Sequence, residues 1–134
     1  MQTFNKEERL CSKKAIDFLF ANGKTFYLNP FKVKWAYETF NNDFPVKILI
    51  VVPKRYFKKA HDRNKIKRRI REAYRKNKNI LYEVLQDQQT KLIVAIIFTE
   101  KNELLYNLIE EKIILTLQRL KQLQDSKLSD KTNN

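Results

Sequence analysis

The stretch DRNKIKRRIREAYRK, residues 62–76, concentrates groups that can grip an anion: eight of its fifteen residues are Lys or Arg, against two acids. On a helix, Arg63/Lys67, Lys67/Arg71 and Arg71/Arg75 fall at i, i+4, where each like-charged pair costs roughly a few tenths of a kcal/mol. Such a run opposes its own helix unless an anion neutralises it. Arg supplies a planar fork that takes phosphate through two parallel bonds. Asn64, set among the cations, adds a neutral donor and acceptor suited to a sugar hydroxyl or a base edge. On the helical wheel Arg63, Asn64, Lys67, Arg68, Arg71 and Arg75 form one arc beside an apolar stripe through Ile66, Ile70, Ala73, Asn77, Ile80, Leu81 and Val84.

The charge is local. Residues 54–78 hold thirteen of the 28 Lys and Arg and two of the 15 acids, so +11 of the formal +13 sits in about a fifth of the chain. A balanced protein with one strongly basic segment implies a polyanionic partner, either nucleic acid or an anionic membrane surface. A bilayer would need the apolar stripe free, and the core needs the same stripe. Catalytic sets are missing: His61 is the only His and Gly23 the only Gly, so neither a His-based metal site nor a Gly-rich phosphate loop can be assembled. Asp62 reads as an N-cap, Glu72 as a salt-bridge partner and His61 as a loop residue. Acids outside the basic segment leave paired carboxylates open; otherwise the residue types give a binder and not a protein catalyst, with no catalytic or metal-ligating residue assigned. With one Cys, no signal-peptide core and no apolar run of ~18 residues, the sequence reads as cytoplasmic and without a membrane partner.

The elements that must position the basic arc follow from periodicity. CSKKAIDFLFANGK reads as a short helix capped by Ser12, with Gly23 as a left-handed stop. FKVKWAYE alternates, with Phe31, Val33, Trp35 and Tyr37 to the core and Lys32, Lys34 and Ala36 on a basic face. NNDFP, residues 41–45, reads as a turn. VKILIVV (46–52) and LIVAIIF (92–98) are apolar on both faces and read as central strands. The basic helix extends to about residue 87 and is long enough to cross between parallel neighbours. A final helix spans about 103–124. Residues 1–124 read as one α/β domain, long enough for a single core, and 125–134 as a disordered tail.

The residues RNKIKRRIRE (63–72) resemble the Arg-Asn-x-x-Lys-Arg-x-x-Arg signature of the protein subunit of bacterial ribonuclease P. FNKEERL, IDFLFANGK, VVPKR and LIVAIIF follow the same family order over roughly residues 4–120. The resemblance implies an α+β sandwich of order αβββαβα, with a mixed sheet and a long basic crossover helix. It implies an endoribonuclease whose catalysis, with Mg²⁺, resides in an RNA, while the protein aids removal of the 5′ leader from precursor tRNA. The implied partners are ribonuclease P RNA and precursor tRNA, with no obligate protein partner. The implied RNA contacts are Lys54, Arg55, Arg63, Asn64, Lys67, Arg68, Arg71 and, at the end of the arc, Arg75. Ile16, Phe20, Phe31, Lys32 and Lys34 are the implied lining of a leader cleft between the first helix and the sheet. The composition alone equally suits a ribosome-bound or ribosome-assembly RNA-binding protein.

Overall fold

The computed structural model describes residues 4–39 and 43–132. A 3₁₀ turn at Lys6–Glu8 leads into α1 (Lys13–Asn22), then β1 (Lys24–Leu28), β2 (Phe31–Tyr37) and β3 (Val46–Val51). Two consecutive helices, α2 (Ala60–Asn77) and α3 (Asn79–Gln88), precede β4 (Leu92–Phe98) and α4 (Tyr106–Thr132). This is the expected αβββαβα order, with the crossover helix broken in two. Part of the 41–45 turn lies outside the described residues. α4 continues past Gln124, the end expected for the last helix.

The strands lie in the order β1-β2-β4-β3, with β3 parallel to β4 and the other pairs antiparallel. Strand alternation then sorts side chains onto two faces. Phe31, Val33, Trp35, Ile48, Val94, Ile96 and Phe98 join the core with α2, α3 and α4. Ala36, Leu49, Ile93 and Ala95 face the other way and meet Leu10, Ala15, Ile16 and Leu19 beneath α1. β4 is doubly buried and central, as its unbroken apolar run implies. β3 is not central: it is the sheet edge. Its outer side is instead covered by the N-terminal segment, where Arg9 bridges Ile48 and the Leu10 amide donates to the Ile48 carbonyl at 2.9 Å.

Local chemistry explains the helix ends. Ser12 caps α1 as expected, its hydroxyl accepting from the Ala15 amide. Gly23 is not left-handed; its φ is −70° and it donates to the Leu19 carbonyl at 2.8 Å. Glycine is required there by crowding, since a Cβ would stand 2.5 Å from the Leu19 carbonyl oxygen and 3.2 Å from that of Trp35. α2 starts at Ala60, so Asp62 lies in its first turn, not at the cap, and His61 is helical as well. The acid still complements the helix dipole. α2 stops at Asn77, whose side-chain amide donates to the Ala73 carbonyl at 2.8 Å and to Glu110 at 3.1 Å. That side-chain bond competes with the helix's own ladder at the break. α3 ends on Gln89, which is left-handed at φ 54°, with the Thr90 amide closing onto the Leu85 carbonyl.

Two stability outcomes follow. Gly23→Ala should lower stability by ~1–3 kcal/mol through forced displacement of the α1 terminus. Gln89→Gly should raise it by up to ~1 kcal/mol by relieving a left-handed non-glycine residue, net of the entropy glycine adds to the unfolded chain. Thermal melts of the two variants against the parent check both signs.

Candidate nucleic-acid interface

α2 sits against α4 and the β3 edge, burying Ile66, Ile70, Ala73 and Tyr74. The two flanks of that stripe are treated differently. On the α4 side, Lys65 and Arg69 both pair with Glu103, at 3.0 and 2.7 Å, and Arg69 also donates to the Leu104 carbonyl at 2.7 Å. Arg75 is held by both carboxylate oxygens of Glu72, at 2.6 and 3.0 Å. That hydrogen bonding draws the Glu72 carboxyl below its ordinary range and raises Arg75. The shared hydrogen bond from Lys65, ahead of Arg69, likewise lowers Glu103.

On the other flank Lys67, Arg68 and Arg71 make no ion pair among the described residues. Asn64 and Arg68 are exposed, while Lys67 and Arg71 are half-buried. Burial first, then the charges of Arg9 and Arg68, depress the Arg71 guanidinium pKa. Arg9 was not assigned a role from sequence; lying outside the helical repeat, it gives no periodic signal. It is brought to this flank by the strand-like bridge to β3.

Arg63 is turned elsewhere. Its guanidinium donates to the Phe57 and Lys58 carbonyls at 2.9 and 3.0 Å, tying the loop before α2 to the helix. That loop begins as a turn on Pro53, whose carbonyl accepts from the Tyr56 and Phe57 amides. Phe57 is anchored against Phe98 with ring centroids 6.0 Å apart. Lys54 and Arg55 are exposed on the turn, with Arg55 over the Tyr56 ring at 4.8 Å. β2 runs opposite to β3, so this turn lies at the sheet end that also carries Lys32.

The residues read as a leader cleft divide by face. Ile16 and Phe20 lie on α1, half-buried and 40% exposed respectively, and Lys32 and Lys34 emerge on the same side of the sheet. Lys34 Nζ donates to the Phe20 carbonyl at 3.4 Å and lies 6.0 Å from its ring. Phe31 does not line this face. Alternation turns it to the opposite side, where it is buried against Phe98. Tyr27, paired across from Lys32 and 72% exposed, is an aromatic that the sequence reading passed over. Lys32 lies 5.9 Å from its ring, so Phe20/Lys34 and Tyr27/Lys32 form two adjacent aromatic–lysine pairs. Aromatic rings beside cations suit single-stranded nucleic acid, stacking bases while neutralising phosphates.

The fold and these surfaces define a class: a small α/β sandwich whose uncompensated charge and exposed rings suit an extended nucleic-acid strand. The chain belongs to the Ribonuclease P family, whose profile matches residues 4–121. It is 36% identical over 91 residues to the ribonuclease P protein component of Porphyromonas gingivalis, an alignment covering 68% of this chain and 66% of the relative. It thus spans slightly under two thirds of that relative's length. The corresponding protein of Thermotoga maritima is 34% identical over 80 residues, 60% of this chain and 65% of the relative. The solved structure of the Thermotoga maritima RNase P protein superposes with a TM-score of 0.66 at 26% identity, covering 84% of this chain and 96% of that one. The Staphylococcus aureus RNase P protein shares the fold, with a TM-score of 0.64 at 19% identity over 84% of this chain and 96% of that one.

The two flanks of α2 should separate by mutation. Arg68→Ala should leave the melting temperature unchanged and reduce the salt dependence of RNA binding by ~0.7–0.9 in log–log slope. Arg69→Ala should destabilise the fold by ~1–2 kcal/mol through loss of its bond to the Leu104 carbonyl. Paired melting and filter-binding measurements check the contrast.

Proposed function

We propose that the protein is the protein subunit of ribonuclease P, binding the catalytic RNA through α2 and the 5′ leader of precursor tRNA across the open side of the sheet. The observation that carries this reading is the uncompensated set Asn64, Lys67, Arg68 and Arg71, at the positions of the family signature. Lys54 and Arg55 extend that set at the near end of the sheet. Arg63 then acts through the loop that it fixes, and Arg75 contributes less charge because Glu72 holds it. Phe20, Lys34, Lys32 and Tyr27 take the leader without reading its sequence, because every base has a face to stack. Ile16 adds apolar contact but no ring.

In this reading endonucleolytic removal of the leader resides in the RNA and Mg²⁺, and the chain supplies no catalytic residue. The cationic flank suits phosphate and repels a divalent metal. Among the described residues no group of three or more His, Cys, Asp or Glu is arranged to hold one. The physical contribution of the protein is charge: its side chains offset repulsion between leader, catalytic RNA and substrate, so fewer Mg²⁺ ions are needed. In this reading it works in the cytoplasm. No helix among the described residues is long and apolar enough to cross a membrane.

The test is cleavage of a precursor tRNA at low Mg²⁺ by the protein alone, by the cognate ribonuclease P RNA alone, and by the two together. Cleavage at the leader junction only in the mixture is expected, with RNA affinity falling against log salt with a slope of magnitude ~4–5 if about six phosphates are neutralised. No stimulation of an RNA that is active at high Mg²⁺ would overturn the reading and favour ribosomal RNA as the target.

A further inference from the structure

The N-terminal segment is built around an acid with no exposure. Glu8 is 0% exposed, and its carboxylate accepts from three donors: the Asn5 amide at 2.7 Å, Lys78 Nζ at 2.7 Å and the Tyr82 hydroxyl at 2.6 Å. The Tyr82 proton is committed to Glu8, so the neighbouring Tyr74 hydroxyl, 2.9 Å away, donates to Tyr82. A carboxylate satisfied this fully fixes the backbone on either side of it.

The next residue, Arg9, is exposed. Its backbone bridges Ile48, and the following Leu10 amide donates to the Ile48 carbonyl. Its guanidinium lies 5.5 Å from the Phe4 ring, and Phe4 stands edge-on to Tyr74 at 5.8 Å and 89°. Tyr74 follows Arg71 by three residues on the same helix. Glu8, the acid adjacent to Arg9 in sequence, is turned inward and neutralised by Lys78, and Arg9 makes no ion pair among the described residues. A guanidinium that rests on a ring keeps its in-plane N–H donors for an anion.

We infer that Arg9 is a further phosphate contact of the α2 face and that Glu8 is the residue that positions it. The inference rests on the ribonuclease P reading, and adds to it a second chain segment, which grips the RNA from outside the signature helix. The Phe4–Tyr74 contact brings Arg9 to the helix that carries Arg71, and one strand of phosphates that passes both offsets the repulsion between them.

The experiment is filter binding of the cognate ribonuclease P RNA across a salt series, below each variant's melting transition. Arg9→Ala should weaken binding roughly fivefold at 150 mM salt and lower the slope by ~0.7–0.9, while Arg9→Lys keeps the slope. Glu8→Gln should weaken binding in the parent and add nothing in the Arg9→Ala background. An unchanged slope for Arg9→Ala overturns the inference. So does a Glu8→Gln loss that is undiminished when Arg9 is absent, since that marks general loosening of the fold. Should Glu8→Gln fail to fold, Phe4→Leu, which removes the ring under Arg9, takes its place with the same two outcomes. Failure of the parent protein to bind the RNA would instead overturn the functional reading itself.

Discussion

The arrangement turns on the buried pair between Glu8 and Lys78, whose side chains are 0% and 8% exposed at 2.7 Å separation. Removing one partner from such a pair typically costs ~3–5 kcal/mol, because the other charge is left buried without compensation. Here the pair joins parts of the chain seventy residues apart. Lys78 is the single residue between α2 and α3, so anchoring its side chain sets where the crossover bends. Glu8 lies just before the segment that closes the β3 edge. One interaction therefore fixes the helix break, the protected edge and the approach of the N-terminal segment to α2. Burial and the bond to Glu8 push the Tyr82 hydroxyl far up, and burial does the same to Tyr74, so both phenols remain donors at any physiological pH.

That frame lets two sheet faces carry different work. The side under α2, α3 and α4 is closed by aromatic and branched side chains, with Phe31, Trp35 and Phe98 among them. The side under α1 is closed where Leu10, Ala15, Ile16 and Leu19 cover Ala36, Leu49, Ile93 and Ala95. A ten-residue helix cannot cover four strands. Beside the covered patch stand Lys32 and Lys34, both half-buried, with Lys34 donating to the Phe20 carbonyl near the end of α1. The asymmetry follows from helix length and strand alternation.

Much of this was legible in the sequence, and the failures have physical causes. Alternation in FKVKWAYE separated Lys32 and Lys34 from Val33 and Trp35 correctly, and the same alternation excludes Phe31 from the face on which the family resemblance placed it. The apolar run of β3 suggested a central strand. Pattern reports burial on both faces, and an edge covered by another segment looks the same. Gly23 suggested a left-handed cap, but sequence cannot distinguish a special backbone angle from a lack of room for a side chain. The break at Lys78 and the Glu8 network depend on contacts between distant residues, which no local period encodes. Glu8 in particular looks like any surface acid in FNKEERL.

The charge on α2 poses a last constraint. A helix with every cation paired would be stable and inert toward RNA; one with none paired would repel itself along its length. This chain divides the task by flank. Glu103 and Glu72 neutralise Lys65, Arg69 and Arg75 where the helix must dock on α4 and its preceding loop. Lys67, Arg68 and Arg71 are left to repel one another where an external anion can reach them. The repulsion is a small stored destabilisation, released only by a ligand that brings negative charge at several points together. A single chloride or nucleotide cannot span the arc, whereas a folded RNA backbone can. In the proposed reading, selectivity for an extended polyanion then needs no base-specific contact, and comes from which cations the fold declines to pair.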